Sequence, residues 1–252
     1  MEMCIGKVMF RSKTVECELV IFDKNGTLVD LDPLLLELGR ARRDNVWKFS
    51  GKRVAKLWER IVGVDLKHRK IDHGGPLATA PRKDEVQIAA TAFYLGGYSW
   101  NEARQLAKKA YDEADASMQP PYGSVLFEGV ERTLRQLKEH GLRLAIASND
   151  TRSRTVESFK ALGIYSLFDV IVGSDDVLSD KPSAEMITKI LGETGCRSDE
   201  AVMVGDSASD MLMGKNAKVR LCVGVLTGFT SREKLEQLGD VVITSMAESQ
   251  AL

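Results

Sequence analysis

From Gly129 to Ile243, short apolar runs alternate with helix-length amphipathic stretches, a pattern that few folds accommodate. Val130 to His140 has helical spacing and is closed by Gly141, and Leu142 to Ala147 is an apolar run ending in Ser148-Asn149-Asp150. Arg152 to Leu162 reads as a helix stopped by Gly163, Val170-Ile171-Val172 as a short strand, and Ser183 to Leu191 as a helix. Ala201 to Val204 is a strand ending at Gly205-Asp206, Ala208 to Ala217 is helical, and Arg220 to Val225 and Val241 to Ile243 are late strands. Strands joined by helices of this length run parallel, because a parallel pair needs a crossover long enough to bring the chain back. The helices then cover both faces, so the expected class is α/β with a three-layer parallel sheet.

Upstream, Leu19-Val20-Ile21-Phe22 reads as a further buried strand of this sheet, with Asp23 where it ends and Gly26 allowing a sharp turn. It is preceded by a weak strand signal at Val8-Met9-Phe10, a polar turn at Arg11-Ser12-Lys13, and Val15 to Leu19 leading into the first strand. Between about Asp32 and Met118 the pattern is helical, with no apolar strand run. One amphipathic stretch begins at Leu34 and continues through Trp58 to Val62, and His73-Gly74-Gly75-Pro76 breaks the run. Asp84 to Leu95 is a further helix, and Ser99 is the expected N-cap of Trp100 to Ala116, with Glu102 at the capping-box position. Pro120-Pro121-Tyr122-Gly123 marks a return linker. The expected organisation is a core at 1–31 and 119–252, interrupted by a helical insertion at 32–118.

The bulk properties exclude several classes. A net charge of -1 argues against nucleic acid as the main partner. No stretch approaches the length of a membrane span, and the start of the chain lacks a cleavable apolar run. The cysteines Cys4, Cys17, Cys196 and Cys222 form no metal-like spacing, which fits a reducing compartment; a soluble cytoplasmic protein is the expectation.

Polar groups arrive at four strand ends: Asp23; Ser148 with Asn149; Lys181; and Asp206 with Asp210. Ligands of an open parallel sheet bind beyond the carboxyl ends of its strands, so these groups face one crevice. The segments Asp23-Lys24-Asn25-Gly26-Thr27, Ile146-Ala147-Ser148-Asn149, Asp180-Lys181-Pro182 and Val204-Gly205-Asp206-Ser207-Ala208-Ser209-Asp210 resemble the four motifs of the haloacid dehalogenase superfamily, in order and spacing. Gly224-Val225-Leu226-Thr227-Gly228 and the helical insertion resemble its phosphoglycolate-phosphatase-like branch, whose core is Rossmann-like and whose insertion is a cap. The resemblance implies that Asp23 is a nucleophile that becomes an aspartyl-phosphate. It implies Mg²⁺ held by Asp23, Asp206 and the main-chain carbonyl of Asn25, with Asp210 binding the metal or its waters. It also implies that Lys181 offsets charge and that Ser148 and Asn149, with nearby backbone N–H groups, bind phosphoryl oxygens. Thr27 would position the turn. The substrate class that the resemblance implies is a small phosphorylated metabolite.

One position departs from the pattern. Phosphatases of the superfamily carry Asp two residues after the nucleophile, to protonate the leaving oxygen and then activate water; here the residue is Asn25. A carboxamide can do neither, and such assistance is worth about 10²–10⁴-fold. Three explanations fit: an introduced Asp→Asn change that disables turnover, a naturally weak phosphatase or non-catalytic phospholigand binder, or a branch that needs no acid there. A metal-independent 2-haloacid dehalogenase belongs to the last group, but leaves Asp206 and Asp210 without purpose. A phosphonate hydrolase would need a cap lysine, for which Lys48, Lys52 and Lys56 are available.

The insertion is where substrate selection is expected. Its first half is basic: Arg40, Arg42, Arg43 and Lys48, then Lys52, Arg53, Lys56 and Arg60. These residues suit either a second anionic group or a solvated helix face. Trp47, Trp58 and Trp100 are expected in the insertion's core, and His68 and His73 have no expected role.

Overall fold

The structure, a computed structural model, describes residues 6–118 and 125–252. The Pro120–Gly123 linker and Cys4 lie outside these residues. The chain divides into two compact units, Met1–Asp30 with Ser124–Leu252, and Leu31–Gly123.

The first unit opens with the hairpin β1 (Gly6–Phe10) and β2 (Lys13–Cys17). The strand β3 (Leu19–Phe22) follows, and then β4 (Val29–Asp30). Val15 to Leu19 is thus not one approach to the first strand. Glu18 is the changeover: its N–H donates to the Glu200 carbonyl and its own carbonyl accepts from Arg143 N–H, so the backbone leaves the hairpin and joins a different sheet.

The second unit contains α1 (Asp32–Val62), whose helical dihedrals are interrupted at Gly51 (φ 80°, ψ 175°). A small hairpin, β5 (Val64–Asp65) and β6 (Lys70–Ile71), follows. The sequence reading placed no strand here, because two-residue strands leave no apolar run. Then come α2 (Pro76–Thr79), α3 (Arg82–Leu95) and α4 (Trp100–Ser117). The Ser99–Glu102 capping box of α4 is formed, Ser99 Oγ accepting from Glu102 N–H at 3.4 Å. Of the three tryptophans expected in this unit's core, only Trp58 is buried, donating to Tyr111 Oη at 3.0 Å. Trp47 and Trp100 are 45% and 44% exposed: Arg43 lies over the Trp47 ring, and Trp100 meets Tyr94 edge-on. Arg42 is buried on the inner side of α1, where its guanidinium binds the Glu85 carboxylate.

The chain re-enters the first unit at β7 (Val125–Leu126), antiparallel to β4. Helices and strands then alternate: α5 (Val130–Glu139), β8 (Arg143–Ala147), α6 (Arg152–Ala161), β9 (Val170–Val172), α7 (Glu185–Thr194) and β10 (Ala201–Gly205). After these come α8 (Ala208–Asn216), β11 (Leu221–Val225), α9 (Arg232–Leu238), β12 (Val241–Ile243) and β13 (Ser249–Ala251). Neither α9 nor β13 has an apolar pattern long enough to read from sequence; in α9 only Leu235 is buried.

Six strands form one parallel sheet in the order β12-β11-β10-β3-β8-β9, and β13-β1-β2 form a separate antiparallel sheet. Alternate residues of β3 serve opposite faces, as a period of two requires. Val20 and Phe22 pack with Leu134 and Leu137 of α5 and Phe159 of α6, whereas Leu19 and Ile21 pack with Met186 and Ile190 of α7. With both faces covered, β3 is central, and polar chemistry has only the strand ends to occupy.

Candidate active site

Every group of the site belongs to the sheet-bearing unit. Asp23 follows Phe22, and its N–H donates to the Val204 carbonyl at 2.9 Å, which carries the β3–β10 ladder one residue past the strand. Its carboxylate therefore emerges beside the end of β10, where Asp206 follows Gly205. Asp210 comes from the first turn of α8. Ser207 caps that helix, and the Asp210 carboxylate accepts from both Ser207 N–H (3.0 Å) and Ser207 Oγ (2.6 Å), which fixes its rotamer. Carboxylate oxygens of Asp23, Asp206 and Asp210 all lie within 4.8 Å of one another, and all three residues are buried.

Lys181, from the loop between β9 and α7, joins them. Its ammonium donates to Asp23 Oδ1 at 2.5 Å and to Asp210 Oδ1 at 2.7 Å, with 2% of the side chain exposed. These two carboxylates raise the Lys181 pKa against the effect of burial, so it is a fixed positive charge. With all three carboxylates ionised, one ammonium would leave the cluster two charges short of neutrality. Burial, with the Asp210 charge, outweighs Lys181 and pushes Asp23 up to about 6. Burial, then the charges of Asp23 and Asp210, push Asp206 up to about 8.

The backbone is shaped to let Asp206 in. Gly26 has φ +83°, and a Cβ there would come within 2.7 Å of the Asp206 carboxyl; a Cβ on Gly228 would collide outright with Asp206 Oδ2. No side chain fits at either position. Thr27 Oγ1 donates to Asp206 Oδ1 at 3.2 Å, and Thr227 Oγ1 donates to the Gly26 carbonyl at 2.6 Å, tying the loop after β11 to the turn after β3. Buried, all-oxygen donors whose ionised forms outnumber the one ammonium suit a hard divalent cation.

The neighbouring strand end brings Ser148, which is 1% exposed and whose Oγ accepts from Asp150 N–H at 3.1 Å. Asn149 is exposed and is not drawn into the cluster. Asn25 turns its amide toward Asp150: Nδ2 donates to Oδ2 at 3.2 Å, and the same oxygen accepts from Lys24 Nζ at 2.7 Å. Lys24 is 7% exposed at its side chain. Although burial acts to raise the Asp150 carboxyl, Lys24 and the Asn25 amide hold it below the usual range. Sequence reading missed this Lys24–Asp150 pair. Its one signal is register: β3 and β8 run parallel with Phe22 opposite Ile146, so the residues after each strand end up side by side.

Known proteins share both this sequence and this fold. The chain is 40% identical over 97 residues to the pyrophosphatase PpaX of Halalkalibacterium halodurans, a stretch covering 38% of this chain and 45% of the relative. It is 35% identical over 127 residues to the phosphoglycolate phosphatase of Pectobacterium atrosepticum, covering 50% and 54% respectively. The chain thus spans about half the length of each. Over 92% of its own length and 94% of the other's it superposes on a haloacid dehalogenase superfamily hydrolase of subfamily IA from Geobacter sulfurreducens, with a TM-score of 0.62 and 20% identity, a likeness of fold. Residues 86–224, more than half of the chain and including Ser148, Lys181, Asp206 and Asp210, match the family model described as haloacid dehalogenase-like hydrolase. The chain belongs to the haloacid dehalogenase-like hydrolase family.

Proposed function

We propose that the chain is built to hydrolyse a small phosphate monoester through Asp23, with Mg²⁺ as the cation. The observation that carries this reading is the Lys181 ammonium bridging Asp23 and Asp210 beside Asp206, a cluster suited to an anion only once its negative charge is offset. The carboxylates of Asp23, Asp206 and Asp210 and the main-chain carbonyl of Asn25 would hold the cation. When bound, it supplies Lewis acidity and positive charge for a carboxylate to approach an anionic phosphate.

Asp23 attacks phosphorus; an Oδ–P bond forms, the ester P–O bond breaks, and the alkoxide departs, leaving an aspartyl-phosphate. Lys181 works against the burial that raises the Asp23 pKa, and its 2.5 Å hydrogen bond aims the carboxylate. Ser148 Oγ already accepts from Asp150 N–H, so its own proton is left to donate to a phosphoryl oxygen, with Asn149 flanking it. Water then attacks the phosphorus, restoring Asp23 and releasing phosphate. Both proton transfers need a group at position 25, and Asn25 supplies neither, so the chain forms and breaks the covalent intermediate slowly. The insertion acts as the cap that selects the ester.

A second reading rests on Asn25 itself: a chain that binds phosphorylated ligands without turning them over. Assays of a phosphate-monoester panel with Mg²⁺, on this chain and on Asn25→Asp, separate the two. Activity that appears or rises in the Asn25→Asp variant supports the phosphatase; activity in neither chain supports the binder. Halide release from a 2-haloacid without metal would overturn both.

A further inference from the structure

The phosphatase reading leaves unused a cavity of 310 Å³ formed wholly within the second unit. Its cationic lining is Arg40 and Arg43 before the Gly51 kink of α1, Lys52 and Lys56 after it, and Lys67 from the turn between β5 and β6. The only carboxylate on its wall is Glu59, so five positive groups face one negative one. Glu59 is already engaged by Arg43 at 3.4 Å, and Arg43 also binds Asp44 at 2.7 Å and lies over the Trp47 ring. Elsewhere in the unit Arg42, Lys48, Arg82 and Lys108 each end on a carboxylate. Among the described residues, the Arg40, Lys52 and Lys67 side chains have no such partner, and Lys56 acts on Glu59 only through space.

That arrangement is unfavourable by itself. Lys52 and Lys56 are four apart on one helix, and like charges at that spacing cost about 0.2–0.5 kcal/mol. Arg40, Lys52, Lys56 and Lys67 are exposed, but Ala55 and Leu66 beneath them are buried, so the cations rim a concave apolar floor and their fields add over it. A solvated lysine face would need neither a concave wall nor residues from three separate segments. The volume sits at the small end of ligand pockets, about 300–1,000 Å³, which admits a short linear anion and excludes a polymer.

We infer that this cavity binds a short polyphosphate, a chain of two or three linked phosphates, either free or as the tail of a nucleotide. Arg40, Lys52, Lys56 and Lys67 take the phosphates, and the paired Arg43 serves as a fixed wall. The inference stands apart from turnover at Asp23, and its test does not require any.

Isothermal titration of inorganic tripolyphosphate into the full chain, in chelator and low salt, should give one site per chain, weakened by added salt. The double variant Lys52→Glu/Lys56→Glu should bind about a hundredfold more weakly, roughly tenfold for each charge-assisted contact. The charge-matched control Lys83→Glu/Arg104→Glu, on α3 and α4 around a different groove, should bind as the unaltered chain does. Equal loss in both doubles would mean a general positive field and would overturn the inference, as would undiminished binding in the first or none in the parent. Adenosine triphosphate binding no more weakly than tripolyphosphate points to a nucleotide tail, and weaker binding points to the free chain. Binding of the nucleotide alone, without tripolyphosphate, would overturn the assignment.

Discussion

At position 25 one heavy atom separates a carboxamide from a carboxylic acid, and of the two only the acid can give and take a proton. Asn25→Asp should raise turnover of a phosphate monoester by about 10²–10⁴-fold, read as kcat under saturating Mg²⁺. Asp23→Asn should abolish turnover in either background while circular dichroism stays unchanged. Asp150 matters for a different reason: it neutralises the nearly buried ammonium of Lys24. Truncating it in Asp150→Ala should cost about 3 kcal/mol in urea unfolding, the low end for breaking a buried pair, since Asp150 keeps 25% of its side chain exposed. Asp23 and Asp206 were legible in the sequence because strand ends of a parallel sheet converge on one edge, whereas Lys181, in the loop before α7, and Asp210, in the first turn of α8, were legible through the resemblance of their motifs. Lys24 and Asp150, 126 residues apart, were not, because only the β3–β8 register brings them side by side.

Among the elements, α1 shows what periodicity can and cannot reveal. Its apolar spacing runs through Gly51 without a break, so the sequence reads as one amphipathic stretch, whereas the backbone at Gly51 adopts a conformation open only to glycine. An added Cβ there would meet no atom within 4 Å, so Gly51→Ala isolates backbone strain and should cost about 1–3 kcal/mol in thermal unfolding. Arg42 looked like one more member of a basic face; burial against Glu85 makes it a structural ion instead. Burial pushes the Glu85 carboxyl up to about 7 despite Arg42, showing how much desolvation the pair carries. Glu85→Ala should therefore destabilise by about 3–5 kcal/mol, while the paired change Arg42→Met/Glu85→Leu should be near neutral, by denaturant titration. Between Val130 and Ile243 the elements other than α9 were legible because burial leaves apolar runs in the strands and apolar stripes on the helices, whereas α9 buries only Leu235. In the hairpin β1–β2 the first strand and its turn were legible, whereas the end of β2 at Cys17 was not; β5–β6 was missed because its two-residue strands leave no apolar run.

For the whole molecule, burial of the acidic cluster, with repulsion among its carboxylates, sets a pH dependence. Asp206 and Asp23 bind protons more tightly when folded, so their contribution to stability is complete below their ordinary range near 4. It fades as pH rises through about 6 for Asp23 and about 8 for Asp206. A divalent cation competes for the same oxygens, so added Mg²⁺ should raise the melting temperature more at about pH 8 than at about pH 5; at a hundredfold excess over Kd the gain is about 2.7 kcal/mol. Among the described residues no helix is long and apolar enough to cross a membrane. The point where the second unit joins the first has a consequence of its own. Asp30 and Val125 are facing partners in the β4–β7 ladder, so the chain departs and comes back through a doorway about 5 Å across. Such a doorway accepts any cassette whose two ends meet, or merely an Asn-Gly turn in place of residues 31–124. The sheet-bearing unit, which holds Asp23, Lys181, Asp206 and Asp210, should then stand alone and melt higher when Mg²⁺ is added, read by thermal unfolding with and without the cation.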